Sequence, residues 1–119
     1  MLSKKNFYIN GEWVKPIKQN DFDVINPSNE EAYAIISLGS EEDTNAAVKA
    51  AKNSFAEWKE VSKEERINLL EKLLKIYKKR FNEMAEAMSM EMGAPIDYAT
   101  STHALSGQSH IEDFILRLK

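Results

Sequence analysis

The 119-residue sequence contains no cysteine. Disulfides, cysteine-ligated zinc sites and a thiol nucleophile are therefore excluded within this chain. No stretch approaches the run of about 18 apolar residues that a membrane-spanning helix needs, and the N-terminus lacks the apolar segment of a secretory signal. Neither sign of charge dominates, because the formal net charge is −3, so nothing indicates binding to nucleic acid or to an anionic membrane. A cytoplasmic location is expected.

Short motifs that carry chemistry are also missing. The patterns G-x-G-x-x-G, G-x-x-x-x-G-K-[ST] and H-E-x-x-H do not occur. His103 and His110 are seven positions apart, whereas a helical metal pair usually has a spacing of three or four. The lysines and Arg80 between positions 72 and 80 are closely flanked by glutamates, which favours a solvated helix face over a nucleic-acid surface. The residues alone indicate no active site.

Apolar residues make up 43% of the sequence and charged residues 29%, as is typical of a folded globular protein. At this length we expect one domain at most. Residues 1–39 are predicted to form short strands, and residues 40–119 are predicted to be helical. The predicted fold class is therefore mainly α with a small β-hairpin and short strands at the N-terminus.

The strand predictions depend on turn residues. Asn10 and Gly11 accept the positive φ angles of a type I′ turn, so residues 7–14 are predicted to form a hairpin. Residues 22–25 and 32–38 are further strand candidates, and the proline between them ends the first.

Two helical blocks follow. Ser40 is predicted to begin the first helix, with Asp43 in its acidic first turn. The block Ser62–Gly93 is predicted to be one long amphipathic helix or two helices end to end, started by the S-x-x-E capping box of Ser62 and Glu65 and ended by Gly93. Its apolar seam recurs at spacings of three and four, at Ile67, Leu70, Leu74, Tyr77, Phe81, Met84 and Met88. Such a seam is either the core face of a helix or a coiled-coil interface.

The last part of the chain is less regular. After Pro95 the helical pattern weakens across residues 100–107, which are rich in Ser and Thr. It returns from Ser109, with Ile111, Phe114, Ile115 and Leu118 on one predicted face. Because the sequence stops at Lys119 within this face, we expect the chain to be part of a longer protein.

Several pieces of the sequence occur in an order that is similar to one enzyme family. They are F-Y-I-N-G-E-W-V at 7–14, I-N-P-S at 25–28, an alanine-rich helix at 43–55, Trp58, and E-M-G-A-P at 91–95. Together they resemble the N-terminal quarter of an NAD(P)-dependent aldehyde dehydrogenase, over about residues 7–118. The resemblance implies that the chain is an incomplete N-terminal part of the cofactor-binding domain of that α/β fold.

The resemblance also implies a reaction. The family oxidises an aldehyde to a carboxylic acid with NAD or NADP, through a thioester on a cysteine. The positions of that cysteine, of the general-base glutamate and of the dinucleotide-binding segments lie beyond this chain. We therefore expect no catalytic or cofactor-binding residue here, no turnover by the chain alone, and a homo-oligomeric parent enzyme that acts on a small-molecule aldehyde.

One site of the family is represented in part. Many members hold a structural monovalent cation with main-chain carbonyls and a carboxylate, at positions that correspond to Val24, Ile25 and Glu91. Oxygen donors of this kind suit a hard cation. The sequence departs from the family at Glu30, where a glycine is usual, so the turn after Pro27 is expected to be built differently.

A second interpretation belongs to another functional class. The chain would then be a free-standing helical interaction module that self-associates through the seam between Ile67 and Met88. Under either interpretation, helical faces that lack a covering layer predict self-association.

Overall fold

The computed structural model describes residues 1–119. They form two compact units, Met1–Glu60 and Val61–Lys119. The first unit contains short strands and one helix, and the second unit is entirely helical. The predicted fold class, mainly α with a few short strands, is confirmed. None of the helices is long and apolar enough to cross a membrane.

The first unit contains five strands. Their bounds are Leu2–Lys4 (β1), Phe7–Ile9 (β2), Glu12–Val14 (β3), Asp21–Asn26 (β4) and Glu31–Ser37 (β5). The larger sheet has the order β1-β5-β4, with β1 parallel and β4 antiparallel to β5, and β2 pairs with β3. The predicted hairpin is confirmed, since Asn10 and Gly11 have φ angles of 55° and 82°. Strand β1 was not predicted, because three residues are too short to show a period.

The helix of the first unit, Glu41–Trp58 (α1), begins where the sequence predicts. The side chains of Ser40 and Asp43 form a reciprocal capping box. Asp43 is also buried, and its carboxylate accepts a hydrogen bond from the Ile17 N–H at 2.9 Å. The large apolar side chains Val48 and Phe55 of α1 are exposed.

The second unit begins with two helices, Lys63–Lys79 (α2) and Phe81–Met92 (α3). The block was predicted as one helix or two, and the structure shows two, with the break at Arg80. Gly93 ends α3 in the left-handed conformation at φ 70°, as predicted. Only half of the predicted capping box forms at the start of α2, since Ser62 Oγ accepts the Glu65 N–H at 3.1 Å but Glu65 does not bond back.

The segment after Pro95, including residues 100–107 where the helical pattern weakens, is helical throughout. It runs as Ile96–Tyr98 (α4), a π-helical turn Ala99–Ala104, and Leu105–Leu118 (α5). The expected start of the last helix at Ser109 is therefore wrong. The hydroxyl of Thr100 bonds the Ile96 carbonyl within the helix at 2.8 Å, so a side chain that often competes with the backbone is accommodated.

Helices α2 and α5 lie antiparallel. Lys78 Nζ is 2.7 Å from Glu112, and Lys119 Nζ is 2.8 Å from Glu71. Ile67 of α2 and Ile115 of α5 are buried. The seam predicted from spacing thus faces a neighbour within this unit along α2. Phe114, predicted to share one apolar face with Ile115, is exposed.

Candidate functional site

The two carbonyls predicted to bind a cation lie at the end of β4. Val24 is half-buried, and Ile25 is 47% exposed. The pairing of β4 with β5 shifts between them, because Val24 is opposite Ala34 and Ile25 is opposite Ala32. The extra residue on β5 makes this a bulge, at which the ladder of backbone hydrogen bonds is disrupted. Both predicted carbonyls therefore belong to an irregular part of the strand.

A tightly bonded turn follows these carbonyls. The Asn26 carbonyl accepts the Glu30 N–H at 2.8 Å, and its side-chain Oδ1 accepts the Ser28 N–H at 2.9 Å. Asn26 itself is buried. Glu30 has a φ of 61°, in the left-handed region that glycine favours. The expectation that this turn differs from that of the family stays a prediction, and within this chain the bonds to Asn26 hold the glutamate in a glycine-like conformation.

The predicted carboxylate, Glu91, lies in the last turn of α3 on an exposed position. The turn after it is fixed, because Ser89 Oγ donates to the Ala94 carbonyl at 2.7 Å and the Gly93 N–H donates to the Ser89 carbonyl at 2.9 Å. The C-terminal end of a helix also carries partial negative charge. This partial charge favours a cation near the end of the helix.

The structure places the predicted ligands in both units. Val24 and Ile25 are adjacent in the first unit, and Glu91 belongs to the second. The joint three-residue site stays a prediction. No group of three or more His, Asp or Glu side chains is arranged to hold a metal ion, so cation binding would depend on main-chain carbonyls. An all-oxygen set of this kind fits a hard monovalent cation.

An apolar groove lies on the second unit where α2 meets α3. Its volume is about 350 Å³, and it is lined by Leu73, Ile76, Tyr77, Arg80, Glu83, Met84 and Ala87. Arg80 and Glu83 form an ion pair at 2.9 Å, and the hydrogen bond from Arg80 lowers the pKa of Glu83. With its charges paired and the rest of its lining mostly apolar, the groove offers a surface for contact and no group arranged for catalysis.

Two polar residues have structural roles that the sequence patterns did not reveal. Asp43 was read only as a first-turn acid, but its carboxylate binds the loop at Ile17. Tyr77 was read only as a seam residue, but its hydroxyl donates to the Ala104 carbonyl at 2.8 Å. The S-x-x-D spacing at Ser40 signals the capping box, but the contacts of Asp43 with Ile17 and of Tyr77 with Ala104 join residues 26 and 27 positions apart and have no local signal.

Comparison with known proteins places the chain in a family. The sequence model of the aldehyde dehydrogenase family matches residues 13–116. A 3-succinoylsemialdehyde-pyridine dehydrogenase from a Pseudomonas species is 39% identical over 111 residues, which cover 92% of this chain and 23% of that protein.

Solved structures agree with this match. The crystal structure of an aldehyde dehydrogenase from Bartonella henselae has 51% identity and a TM-score of 0.98, over 99% of this chain and 25% of that one. An aldehyde dehydrogenase C mutant from Pseudomonas syringae, solved with NAD+ and octanal, has 33% identity and a TM-score of 0.93, over 96% and 24% of the two chains.

The present chain therefore spans about a quarter of the length of these relatives, and its fold matches their N-terminal part. The family predicted from the ordered motifs is confirmed by a match over most of the sequence. The chain belongs to the aldehyde dehydrogenase family.

Proposed function

We propose that this chain is the N-terminal part of a cytoplasmic enzyme that oxidises an aldehyde to a carboxylic acid with NAD or NADP, through a thioester. The observation that carries the proposal is the family match over residues 13–116. The Pseudomonas syringae relative was solved with NAD+ and octanal, which supports these classes of cofactor and substrate. In this proposal both units belong to the cofactor-binding domain of the parent enzyme.

The 119 residues are not expected to catalyse the reaction alone. A thioester requires a cysteine thiolate, and the sequence has none. The purified chain, mixed with a panel of aldehydes and with NAD+ or NADP+, should produce no reduced nicotinamide. Measurable turnover would contradict the proposed role as a supporting segment.

A chimera tests the supporting role directly. This chain would replace the matching quarter of the Bartonella henselae protein, to which it is 51% identical. We expect the chimera to fold, and to retain whatever aldehyde oxidation that protein shows. A matched chimera with the corresponding segment of the Pseudomonas syringae protein, which is 33% identical to this chain, provides the comparison. Loss of activity only with the present segment, in a folded chimera, would count against the proposal.

The cation site is a second part of the proposal. The carbonyls of Val24 and Ile25, at the bulge, and the carboxylate of Glu91, at the helix end, would hold a monovalent cation in the parent enzyme. In the chimera, the melting temperature should be higher in sodium or potassium chloride than in tetramethylammonium chloride at equal ionic strength. Glu91→Gln should abolish this difference, whereas Glu86→Gln, an exposed acid of the same helix, should not. An unchanged difference in Glu91→Gln would reject the site.

The alternative function, a free-standing interaction module, has one observation in its favour. Leu73 and Ile76 of α2 are 48% and 55% exposed, and they line the groove at α3. Reading the gene past the Lys119 codon separates the two functions. A nucleotide-binding region and a cysteine downstream support the enzyme, whereas a stop codon at that point supports the module.

A further inference from the structure

The helix from Ile96 to Leu118 changes its winding in the middle. Residues Ala99–Ala104 form a π-helical turn between regular α-helical segments. A π turn contains one more residue than the α-helical turn it replaces, and it occurs mostly as a single turn that surrounding contacts stabilise. Ala99 and Ala104, the two ends of this turn, are fully buried. The turn is therefore packed within the second unit, where neighbouring side chains can act on it.

One side chain from α2 bonds directly to the π turn. The Tyr77 hydroxyl donates a hydrogen bond to the carbonyl of Ala104, the last residue of the turn, at 2.8 Å. Gly107 provides the space for this hydroxyl, because a Cβ at position 107 would lie 2.5 Å from Tyr77 Oη and 3.0 Å from Tyr77 Cζ. The bond and the glycine form a single arrangement, which we call the Tyr77 contact.

The number of residues in the π turn sets which face of α5 packs against α2. Glu112 on α5 and Lys119 directly after α5 are seven residues apart, and they pair with Lys78 and Glu71, which are also seven apart on α2. If the same residues rewind as a regular α-helix, with none removed, the phase of the following helix changes by one residue, about 100° of rotation. A rotation of that size would separate both ion pairs and would turn Ile115 away from its buried position.

We propose that the Tyr77 contact holds Ala99–Ala104 in the π-helical form and thereby sets the rotation of α5 against α2. The bond to the Ala104 carbonyl stabilises the π form, and without it the segment relaxes towards a regular α-helix. The turn thus has two forms, π-helical and α-helical. The form that it adopts determines which α5 residues face outward.

The test replaces Tyr77 by Phe in the 119-residue chain, with Tyr98→Phe as the matched control. Tyr98 belongs to the same unit, is exposed, and makes a ring contact with His103 but no hydroxyl bond. In Tyr77→Phe we expect amide hydrogen exchange at residues 103–108 to accelerate by roughly two- to tenfold more than in the rest of the unit, in line with one lost hydrogen bond. Equal acceleration everywhere, or none, would overturn the proposal.

A second readout distinguishes rotation of α5 from simple loosening. The hydrogen bond from Lys78 holds the pKa of Glu112 below its ordinary value. If α5 rotates in Tyr77→Phe, the Glu112 pKa measured by NMR should rise towards the ordinary range, and Gly107→Ala should have the same effect because its Cβ displaces the hydroxyl. A Glu112 pKa that stays low in both folded variants would contradict the proposed control of rotation.

A deletion provides the reverse experiment. Removing the exposed Ser101 from the Tyr77→Phe variant deletes the extra residue of the π turn. A regular α-helix would then leave α5 in its original phase, and the Glu112 pKa should return to its lowered value. Failure of this deletion to restore the pKa, after Tyr77→Phe has raised it, would show that the winding of the turn does not set the phase of α5.

Discussion

At the level of single residues, Glu30 shows how a neighbourhood can hold a residue in an unfavourable conformation. Its φ of 61° costs an L-residue about 1–2 kcal/mol relative to the usual regions. The bond from its N–H to the Asn26 carbonyl, together with the Asn26 side-chain bond to Ser28, fixes the turn. Strain of this kind persists only where surrounding contacts determine the backbone.

Replacing Glu30 by Gly should therefore stabilise the protein. We expect a gain of about 0.5–1 kcal/mol in the free energy of unfolding, because relief of the left-handed strain exceeds the added entropy of the unfolded chain. Chemical denaturation followed by circular dichroism measures it. The matched control is Glu31→Gly, at the first residue of β5, which should destabilise the protein. A loss of stability in both variants would mean that Glu30 is not strained.

At the level of elements, the ionised carboxylate of Asp43 stabilises the N-terminus of α1. The hydrogen bond from the Ile17 N–H, and then that from the Ser40 N–H, lower the pKa of the Asp43 carboxyl. A carboxyl whose folded pKa lies below its unfolded value of about 3.9 stabilises the fold fully above that value. The contribution is lost as the pH falls through the lowered folded pKa. Both the capping box and the loop at Ile17 therefore depend on ionised Asp43.

The pH dependence of a single variant tests this dependence. Asp43→Asn should lower the melting temperature at neutral pH, and the difference from the unmodified chain should shrink as the pH falls below about 4. Glu41→Gln, an exposed acid in the same first turn, controls for the general effect of charge near a helix N-terminus. If Asp43→Asn lowers the melting temperature equally at acidic and neutral pH, ionisation of Asp43 contributes nothing to stability.

The elements that sequence patterns predict well are those with local signals. Asn10 and Gly11 specify their turn through backbone freedom, and Ser62 and Gly93 mark the ends of the long helical block. The π turn was missed for a physical reason. Its stability depends on a bond from Tyr77, distant in sequence, while its own Ser and Thr residues have low helix propensity.

The positions of the candidate cation site were predictable from the sequence, but its local geometry was not. Family resemblance supplied the positions Val24, Ile25 and Glu91, but nothing in the sequence indicated a shift of strand register between the first two. A bulge depends on how two strands pair, which neither strand encodes by itself. The fixed turn after Glu91 also depends on a side-chain bond from Ser89 to Ala94, and many other serines in the sequence make no such bond.

At the level of the whole molecule, the main feature is apolar surface. Large apolar side chains are exposed in each unit, including Phe55 on α1 and Leu116 on α5. Contiguous apolar patches on soluble proteins usually mark contact surfaces. On the second unit the seam predicted from spacing is partly covered along α2, and the neighbouring stripe of Leu69, Leu73 and Ile76 is the one that remains open. Self-association should therefore use this stripe and the groove beside it.

A charge placed in the stripe tests this assignment. In sedimentation velocity we expect the unmodified chain to form concentration-dependent dimers or larger species, and Leu73→Lys to shift the distribution towards the monomer, because a charge buried in an apolar contact is costly. Asn68→Lys adds the same charge to α2 at an exposed polar position, so it should leave the distribution unchanged. A monodisperse unmodified monomer at high concentration would refute self-association. If both variants dissociate equally, the shift towards the monomer is an effect of net charge and not of the stripe. If Leu73→Lys has no effect, the contact lies on another face.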